Sequence, residues 1–400
     1  MTVLHVWRER QHIGVFTSID RIVTFSYDED APQSPLSLSL PRDGGWNKSA
    51  PLHFLDNLLP DNPCTRRRIA HDTGAVSHSI FDLLARLGED LAGALVLTPD
   101  ESEPNWVVSQ PLRQLTDDDI AYRISELRRD PDRWIDPDMG GRFSLAGAQA
   151  KFTMVRLADQ WFSSNAALPS THIVKPASPH VPDADVIEMA SMRLAVAVGL
   201  PVPQTGLIKV LDQQAYIVER FDRDSGQWPP VRIHTEDLAQ SMGLPPDQKY
   251  AVTARQIIEL LHRIDPTDGL SYDFITRLAF NTSIDNADAH AKNCSVFLRS
   301  SGVSLTPVYD AVTTTYWPSS DTRLAMRIAG ADRATEVTKA HWAKLARTTD
   351  LDEDRVVDIA ASMAQHVIES LDQVFAGLPA QIRERLTLIL THANANMVVR

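Results

Sequence analysis

Cysteine is the scarcest chemistry in this 400-residue chain, with Cys64 and Cys294 as its only thiols. Two cysteines cannot build a disulfide framework or a cysteine-based zinc site, so a reducing cytoplasm is the expected compartment. No run of about 18 uncharged apolar residues occurs, so no membrane-spanning helix is expected. The first dozen residues hold Arg8, Glu9 and Arg10 and lack an apolar core followed by a small-residue cleavage site. A secretory signal is therefore not expected. Basic residues are also short: 39 Lys and Arg face 52 Asp and Glu, for a formal net charge of −13. Such a chain should not wrap nucleic acid unaided, because phosphate neutralisation needs cations in excess. Internal repeats and low-complexity segments are lacking as well. What remains is ordinary globular composition, 43% hydrophobic and 23% charged, with length for roughly two or three domains or lobes.

The first hundred residues read as an α+β module. Short β-branched or aromatic runs at Val3–Trp7, Ile13–Phe16 and Arg21–Tyr27 predict antiparallel strands. Pro35 to Pro41 alternates with period two, as a half-buried strand does. Phe54, Leu55, Leu58 and Leu59 make one helical stripe, and Ile80, Phe81, Leu84 and Leu87 another. The apolar run Leu91–Leu97 predicts a closing strand. A polar stretch from Thr98 to Asn105 marks the first boundary, and Thr116 with Asp119 signals the start of a helix reaching about Arg129. Between Gly140 and Val218 the pattern is strand, loop, strand, strand, helix, strand, strand. Beyond Ser225 the chain is mostly helical, with one hairpin pattern at 294–310 and amphipathic helices from Thr338 to Val398.

Four clusters carry chemical types. Gly140-Gly141-Arg142-Phe143-Ser144-Leu145-Ala146-Gly147-Ala148-Gln149-Ala150-Lys151 is a small-residue loop entering a strand. Small side chains let consecutive N–H groups approach phosphate oxygens. It is not a Walker loop, because no Gly-Lys-Ser/Thr follows at the required spacing. Alone, a loop of this kind is more often a structural turn. Lys175 ends a strand, and Glu188 lies thirteen positions later in a helical stripe. That pair would hold an ammonium over nucleotide phosphates, or is simply two surface charges. Asp288 and Asn293 are five apart in Asp288-Ala289-His290-Ala291-Lys292-Asn293, the spacing of the aspartate base and metal-binding asparagine of a protein-kinase catalytic loop. His290 and Lys292 add positive charge for a γ-phosphate; the bland alternative is a polar helix cap. Asp310 closes the hairpin that starts at Cys294, so it should lie beside Asn293 as a second hard oxygen ligand for Mg²⁺. A hydrolytic metal held by Asp288, His290 and Asp310 is a competing reading, but such sites usually gather more ligands.

In this order, the phrases resemble the HipA-like serine/threonine kinases, the toxins of HipBA-type bacterial toxin–antitoxin modules. The similarity extends to Pro35–Pro41, Phe54–Pro60, Leu84–Ala94, the hinge-like Val218-Glu219-Arg220-Phe221-Asp222-Arg223, and Glu236-Asp237 with Gln240 and Gly243. The resemblance implies an α+β, bilobal protein-kinase-like fold of the phosphatidylinositol-kinase branch. Its expected parts are an N-terminal subdomain (1–100), a kinase N-lobe (101–220) and a mostly helical C-lobe (221–400). It implies ATP and Mg²⁺ as cofactors. Ser144, Ala146, Gly147, Ala148, Gln149, Lys151, Lys175 and Glu188 would serve the phosphates, and Glu219 and Phe221 the adenine. Asp288 would be the base, assisted by His290 and Lys292, with Asn293 and Asp310 on the metal. Ser144 matches the loop serine that such kinases autophosphorylate and thereby silence. The implied partners are a small helix-turn-helix antitoxin (HipB-like), operator DNA only through it, and a protein substrate such as glutamyl-tRNA synthetase or another aminoacyl-tRNA synthetase. No membrane is implied. The expected place of action is the cytoplasm. A non-catalytic corepressor of the same fold remains the alternative, and Ala150, where the family often carries charge, is the one departure in the loop.

Overall fold

The computed structural model describes residues 1–108, 112–137 and 143–398. Gly140, Gly141 and Arg142, at the head of the glycine loop, therefore lie outside the described residues. The chain forms two compact units from interleaved segments. The first comprises Met1–Asp185, Gln204–Asp247 and Val296–Val303, and the second Val186–Pro203, Gln248–Ser295 and Ser304–Arg400.

The first unit opens with the expected meander, β1 (Thr2–Arg8), β2 (Gln11–Ile19) and β3 (Ile22–Tyr27). Glu9–Arg10 and Asp20–Arg21 both adopt positive φ, as tight two-residue hairpin turns require. Leu4, Val6, Phe16 and Phe25 face inward onto α1 (Ala50–Asp56), where Phe54 stacks on Phe16 at 6.1 Å. Next come α2 (Pro63–Thr73) and α3 (Ile80–Leu87), the latter burying Phe81, Leu83, Leu84 and Leu87.

Two predicted strands come out differently. Residues 35–41 form a turn closed by a single Ser37–Leu40 bridge. The cause is Tyr27, whose hydroxyl accepts from the Leu36 N–H (2.7 Å) and donates to the Leu40 carbonyl (2.5 Å). It occupies the backbone groups a ladder would use, while Leu36 and Leu40 still reach the core. The apolar run 91–97 splits into β4 (Asp90–Leu91) and β5 (Leu95–Thr98), which join different sheets. Gly93 breaks it at φ +76, where a Cβ would meet the Thr235 carbonyl at 2.7 Å. β5 completes the first sheet in the order β3-β2-β1-β5.

β6 (Gln114–Leu115) precedes α4 (Asp117–Arg129), which begins at the expected capping box of Thr116 and Asp119. Then follow β7 (Phe143–Ser144), β8 (Phe152–Leu157), β9 (Gln160–Phe162), β10 (His172–Lys175), α5 (Ala184–Ala197), β11 (Thr205–Val210) and β12 (Gln213–Glu219). Their sheet runs β11-β12-β10-β8-β9-β6, with Lys175 opposite Tyr216 in register. A continuous apolar core runs from Leu4 to Ala215. Next in the unit come β13 (Arg223–Asp224), β14 (Val231–Arg232), β15 (Thr235–Asp237) and the short α6 (Leu238–Ser241).

In the second unit α7 (Ala254–Ile264) and α8 (Gly269–Ser283) precede the polar loop at 286–293. The expected hairpin follows as β16 (Ser295–Arg299) and β17 (Gly302–Leu305), whose residues 296–303 belong to the first unit. α9 (Lys339–Thr348), α10 (Glu353–Phe375) and α11 (Ala380–Ala393) end the chain, with α10 packed on α8 and α9. Trp342, Val356, Val367 and Leu390 are buried in this helical core.

Candidate active site

The loop after α8 is built from the helix end outward. Asp285 takes φ +53, and the Asn286 N–H returns to the Asn281 carbonyl at 2.9 Å, which terminates the helix. Buried Asn286 then accepts from the Asp288 N–H at 3.1 Å. Asp288 itself is half exposed, its side chain 51% accessible. The Asn293 amide nitrogen donates to the Asp288 carbonyl at 2.9 Å. His290 N–H reaches the Asp288 carbonyl (2.8 Å) and Asn293 N–H the His290 carbonyl (2.9 Å). The loop is thus a chain of short-range bonds that sets Asp288 and Asn293 at one end.

Neighbouring segments hold it there. Thr314 Oγ1 accepts from the Ala287 N–H at 2.7 Å, and the Ala287 carbonyl accepts from Ala325. Tyr309 donates to the Lys292 carbonyl at 2.8 Å and bonds the Ser295 hydroxyl at 2.6 Å. That anchor precedes Asp310, which takes φ +55, a left-handed conformation that short polar aspartate tolerates. Lys292 and His290 are buried. Tyr250, which the sequence reading passed over, donates to Asp288 Oδ1 at 2.5 Å. Its only sequence signal is a Lys-Tyr pair in a turn before α7, 38 positions away.

In the first unit β7 pairs in parallel with β4, Leu91 opposite Ser144. Ser144 is buried, and its hydroxyl donates to the Leu58 carbonyl at 2.6 Å. The loop then curves through Ala146, Gly147, Ala148 and Gln149. Gly147 sits at φ +100, its carbonyl accepts from the Asp61 N–H, and a Cβ there would approach Lys151 Nζ to 3.0 Å. Lys151 closes the curve, its ammonium bonding the Ala146 carbonyl at 2.7 Å above the Trp134 ring. Lys175 is buried at the end of β10 with its ammonium 5.7 Å from the Tyr216 ring centre. Glu219 ends β12, and Phe221 meets Phe297 edge-on at 6.0 Å.

The hinge-like phrase also does structural work that its sequence did not advertise. Arg220 and Arg223 are buried with Asp90 and Asp222. Arg220 grips both Asp222 oxygens (2.9 and 2.8 Å), Arg223 meets Asp90 (3.0 Å) and Asp222 (3.0 Å), and the Gly93 N–H also donates to Asp222. Burial alone would raise the Asp222 carboxyl, but Arg220 and Arg223 outweigh it and hold it well below the usual carboxylate range. Burial beside this cluster lowers Arg232 to about 9. Flanked by these locked residues, Phe221 has a fixed backbone.

The phosphate-loop residues, Lys175, Glu219 and Phe221 belong to the first unit; Glu188, Asp288, His290, Lys292, Asn293 and Asp310 belong to the second. Within the second, the structure gathers Asp288, His290, Lys292 and Asn293 on one loop and ties Asp310's neighbour to it. The arrangement offers an exposed carboxylate to accept a proton and a hard oxygen beside it.

Two family models match the chain: HipA N-terminal domain over residues 4–98 and HipA-like C-terminal domain over residues 143–371. The Y4mE protein of Sinorhizobium fredii is 33% identical over 390 residues, covering 92% of each chain. The serine/threonine-protein kinase toxin HipA of Shewanella oneidensis is 30% identical over 323 residues, 76% of this chain and 72% of that one. A solved structure of the Shewanella HipA, HipB and operator DNA complex matches with a TM-score of 0.84 at 25% identity, covering 98% of this chain and 96% of the other.

Proposed function

This chain belongs to the HipA family, and from that premise we propose that it is an ATP- and Mg²⁺-dependent serine/threonine protein kinase acting as a growth-arrest toxin. The fold is accordingly the α+β, protein-kinase-like fold of HipA. The observation that carries the catalytic reading is the loop at 286–293. Asp288 presents its carboxylate to solvent, its backbone N–H held by Asn286 and its carbonyl by the Asn293 amide. Asp288 orients an incoming hydroxyl and takes its proton, the role of a general base. Lys292 places positive charge along the same loop, with the His290 imidazole beside it.

Asn293 and Asp310 supply hard oxygens of the kind a divalent cation prefers. Among the described residues no group of three or more His, Cys, Asp or Glu side chains converges on one point. A cation here would thus complete its shell with nucleotide phosphate oxygens and water, as Mg²⁺ does. When bound it would neutralise charge on the transferring phosphoryl group. The curved loop from Ser144 to Lys151, with Lys175, would hold the phosphates, and Glu219 and Phe221 the adenine. Glu188 would orient the lysine.

The partners follow the family. A HipB-like helix-turn-helix antitoxin would neutralise the toxin and bring it to operator DNA, consistent with a net charge of −13 that disfavours direct DNA binding. An aminoacyl-tRNA synthetase, glutamyl-tRNA synthetase first, is the proposed substrate. The proposed place of action is the cytoplasm; no helix among the described residues is long and apolar enough to cross a membrane.

The test is Asp288→Asn, which keeps the shape and removes the base. Transfer from γ-labelled ATP should fall by about 10²–10⁴-fold. Undiminished labelling by the folded variant rejects the assignment. Phosphoproteomics of cells expressing either form identifies the target.

A further inference from the structure

Tyr250 lies in the turn that follows Pro246–Gln248, and the proposed chemistry has not yet used it. One side of this turn grips the catalytic loop at three places, Asp288, His290 and Ala291. The Tyr250 hydroxyl donates to Asp288 Oδ1 at 2.5 Å. Its ring meets His290 edge-on, with centroids 4.9 Å apart and planes at 83°. The Lys249 carbonyl accepts from the Ala291 N–H at 3.3 Å. The ring is itself 53% exposed, so its hydrogen bond is not a by-product of core packing. An exposed tyrosine gains little from burial and carries ordering entropy; what it does have is a short bond to one charged oxygen.

We infer that Tyr250 is a positioning residue for phosphoryl transfer, fixing the Asp288 carboxylate so that Oδ2 takes the proton of the acceptor hydroxyl. The inference rests on the kinase reading above. In the step it serves, the acceptor oxygen bonds to the γ-phosphorus as the bond from that phosphorus to the β,γ-bridging oxygen breaks. The acceptor's proton goes to Asp288 Oδ2, ADP leaves with the electron pair, and the phenol keeps its own proton. Without the phenol the carboxylate loses one of its restraints, and fewer encounters find a base oxygen in line with the hydroxyl.

Tyr250→Phe preserves the ring against His290 and removes only the donor. Single-turnover self-labelling from γ-labelled ATP is measured for wild type, Tyr250→Phe, Asp288→Asn and the double variant. The maximal rate of Tyr250→Phe is expected to fall on the order of ten-fold, the scale of one charge-assisted hydrogen bond. Half-saturating ATP should stay within about two-fold, because the hydroxyl touches the base and not the nucleotide. In the Asp288→Asn background the same change should add less than about two-fold, since its route of action is gone. An unchanged maximal rate, or a full ten-fold loss on top of Asp288→Asn, overturns the inference while leaving the kinase reading intact. Wild type that transfers no phosphate overturns both. A second measurement is independent of turnover. In protein carrying tyrosine labelled with ¹³C at Cζ, the resonance absent from Tyr250→Phe should move on Asp288→Asn while the other tyrosines stay. A stationary resonance overturns the contact itself.

Discussion

Asp222→Asn tests whether the buried ion cluster at the hinge holds the first unit together. Two guanidiniums, Arg220 and Arg223, share two carboxylates, Asp90 and Asp222, and all four side chains are buried. Asp222 accepts from Arg220 twice, from Arg223 and from the Gly93 N–H. An asparagine keeps one acceptor oxygen but removes the charge, leaving Arg220 and Arg223 with Asp90 as their one carboxylate. Breaking a buried pair by removing one partner costs about 3–5 kcal/mol, because the remaining charge stays desolvated. Unfolding entropy of about 2.1 cal/mol/K per residue, over a unit of roughly 240 residues, converts this to a fall of about 6–10 °C in melting midpoint. The assay is thermal unfolding at pH 7 followed by tryptophan fluorescence. The control is Asp321→Asn, which breaks the exposed pair with Arg323 and should move the midpoint by no more than about 1 °C. Because Asp222 is held below the ordinary carboxylate range, its contribution is present above about pH 4 and declines as pH falls further. The gap between wild type and variant should therefore narrow in acid. A midpoint shift below about 2 °C at pH 7 would refute the reasoning, since it would mean that the cluster's Coulomb gain merely balances its desolvation.

Glu236 is buried, accepts from the Leu38 N–H and the Ser241 hydroxyl at 2.9 Å each, and burial pushes its carboxyl up to about 7. A raised carboxyl costs nothing below the unfolded value near 4.5 and opposes folding increasingly up to its folded value. Stability should thus fall by on the order of 3 kcal/mol between pH 4.5 and 7, and Glu236→Gln should flatten that decline in urea titrations; parallel profiles would contradict it. For Ser144, whose hydroxyl is buried against the Leu58 carbonyl, a phosphate requires the loop to leave its seat, because a dianion cannot face a carbonyl oxygen. Incubation with ATP should yield phospho-Ser144 by mass spectrometry together with loss of transfer activity, while Ser144→Ala stays active; an unmodified Ser144 after prolonged incubation rejects the proposal.

The chain's own patterning determined the local elements. The meander, the capped helix after Thr116, the strand–helix–strand order from 152 to 219 and the three terminal helices all follow from period and capping, because those signals lie within a few residues of one another. The Asp288–Asn293 spacing and the hairpin leading to Asp310 were readable for the same reason, since a loop closed by its own short-range bonds is written contiguously. Only the tertiary structure decided what acts at a distance. Tyr27 takes the backbone groups of Leu36 and Leu40 and cancels a strand that alternation predicted. Gly93 bends the apolar run 91–97 at a place crowded by the Thr235 carbonyl. Arg66, in the arginine triplet of α2, is largely covered and paired with Asp56 at 2.6 Å, while Arg68 meets Asp72 at 2.9 Å. The four charges Asp90, Arg220, Asp222 and Arg223 look like surface residues until the fold buries them together. Tyr250 reaches Asp288 across 38 positions. Hydrophobic period reports which face of an element is buried, but it is silent on which polar side chain from elsewhere will meet it. That choice is made by geometry in three dimensions, and it is where the proposed chemistry of this chain is tuned.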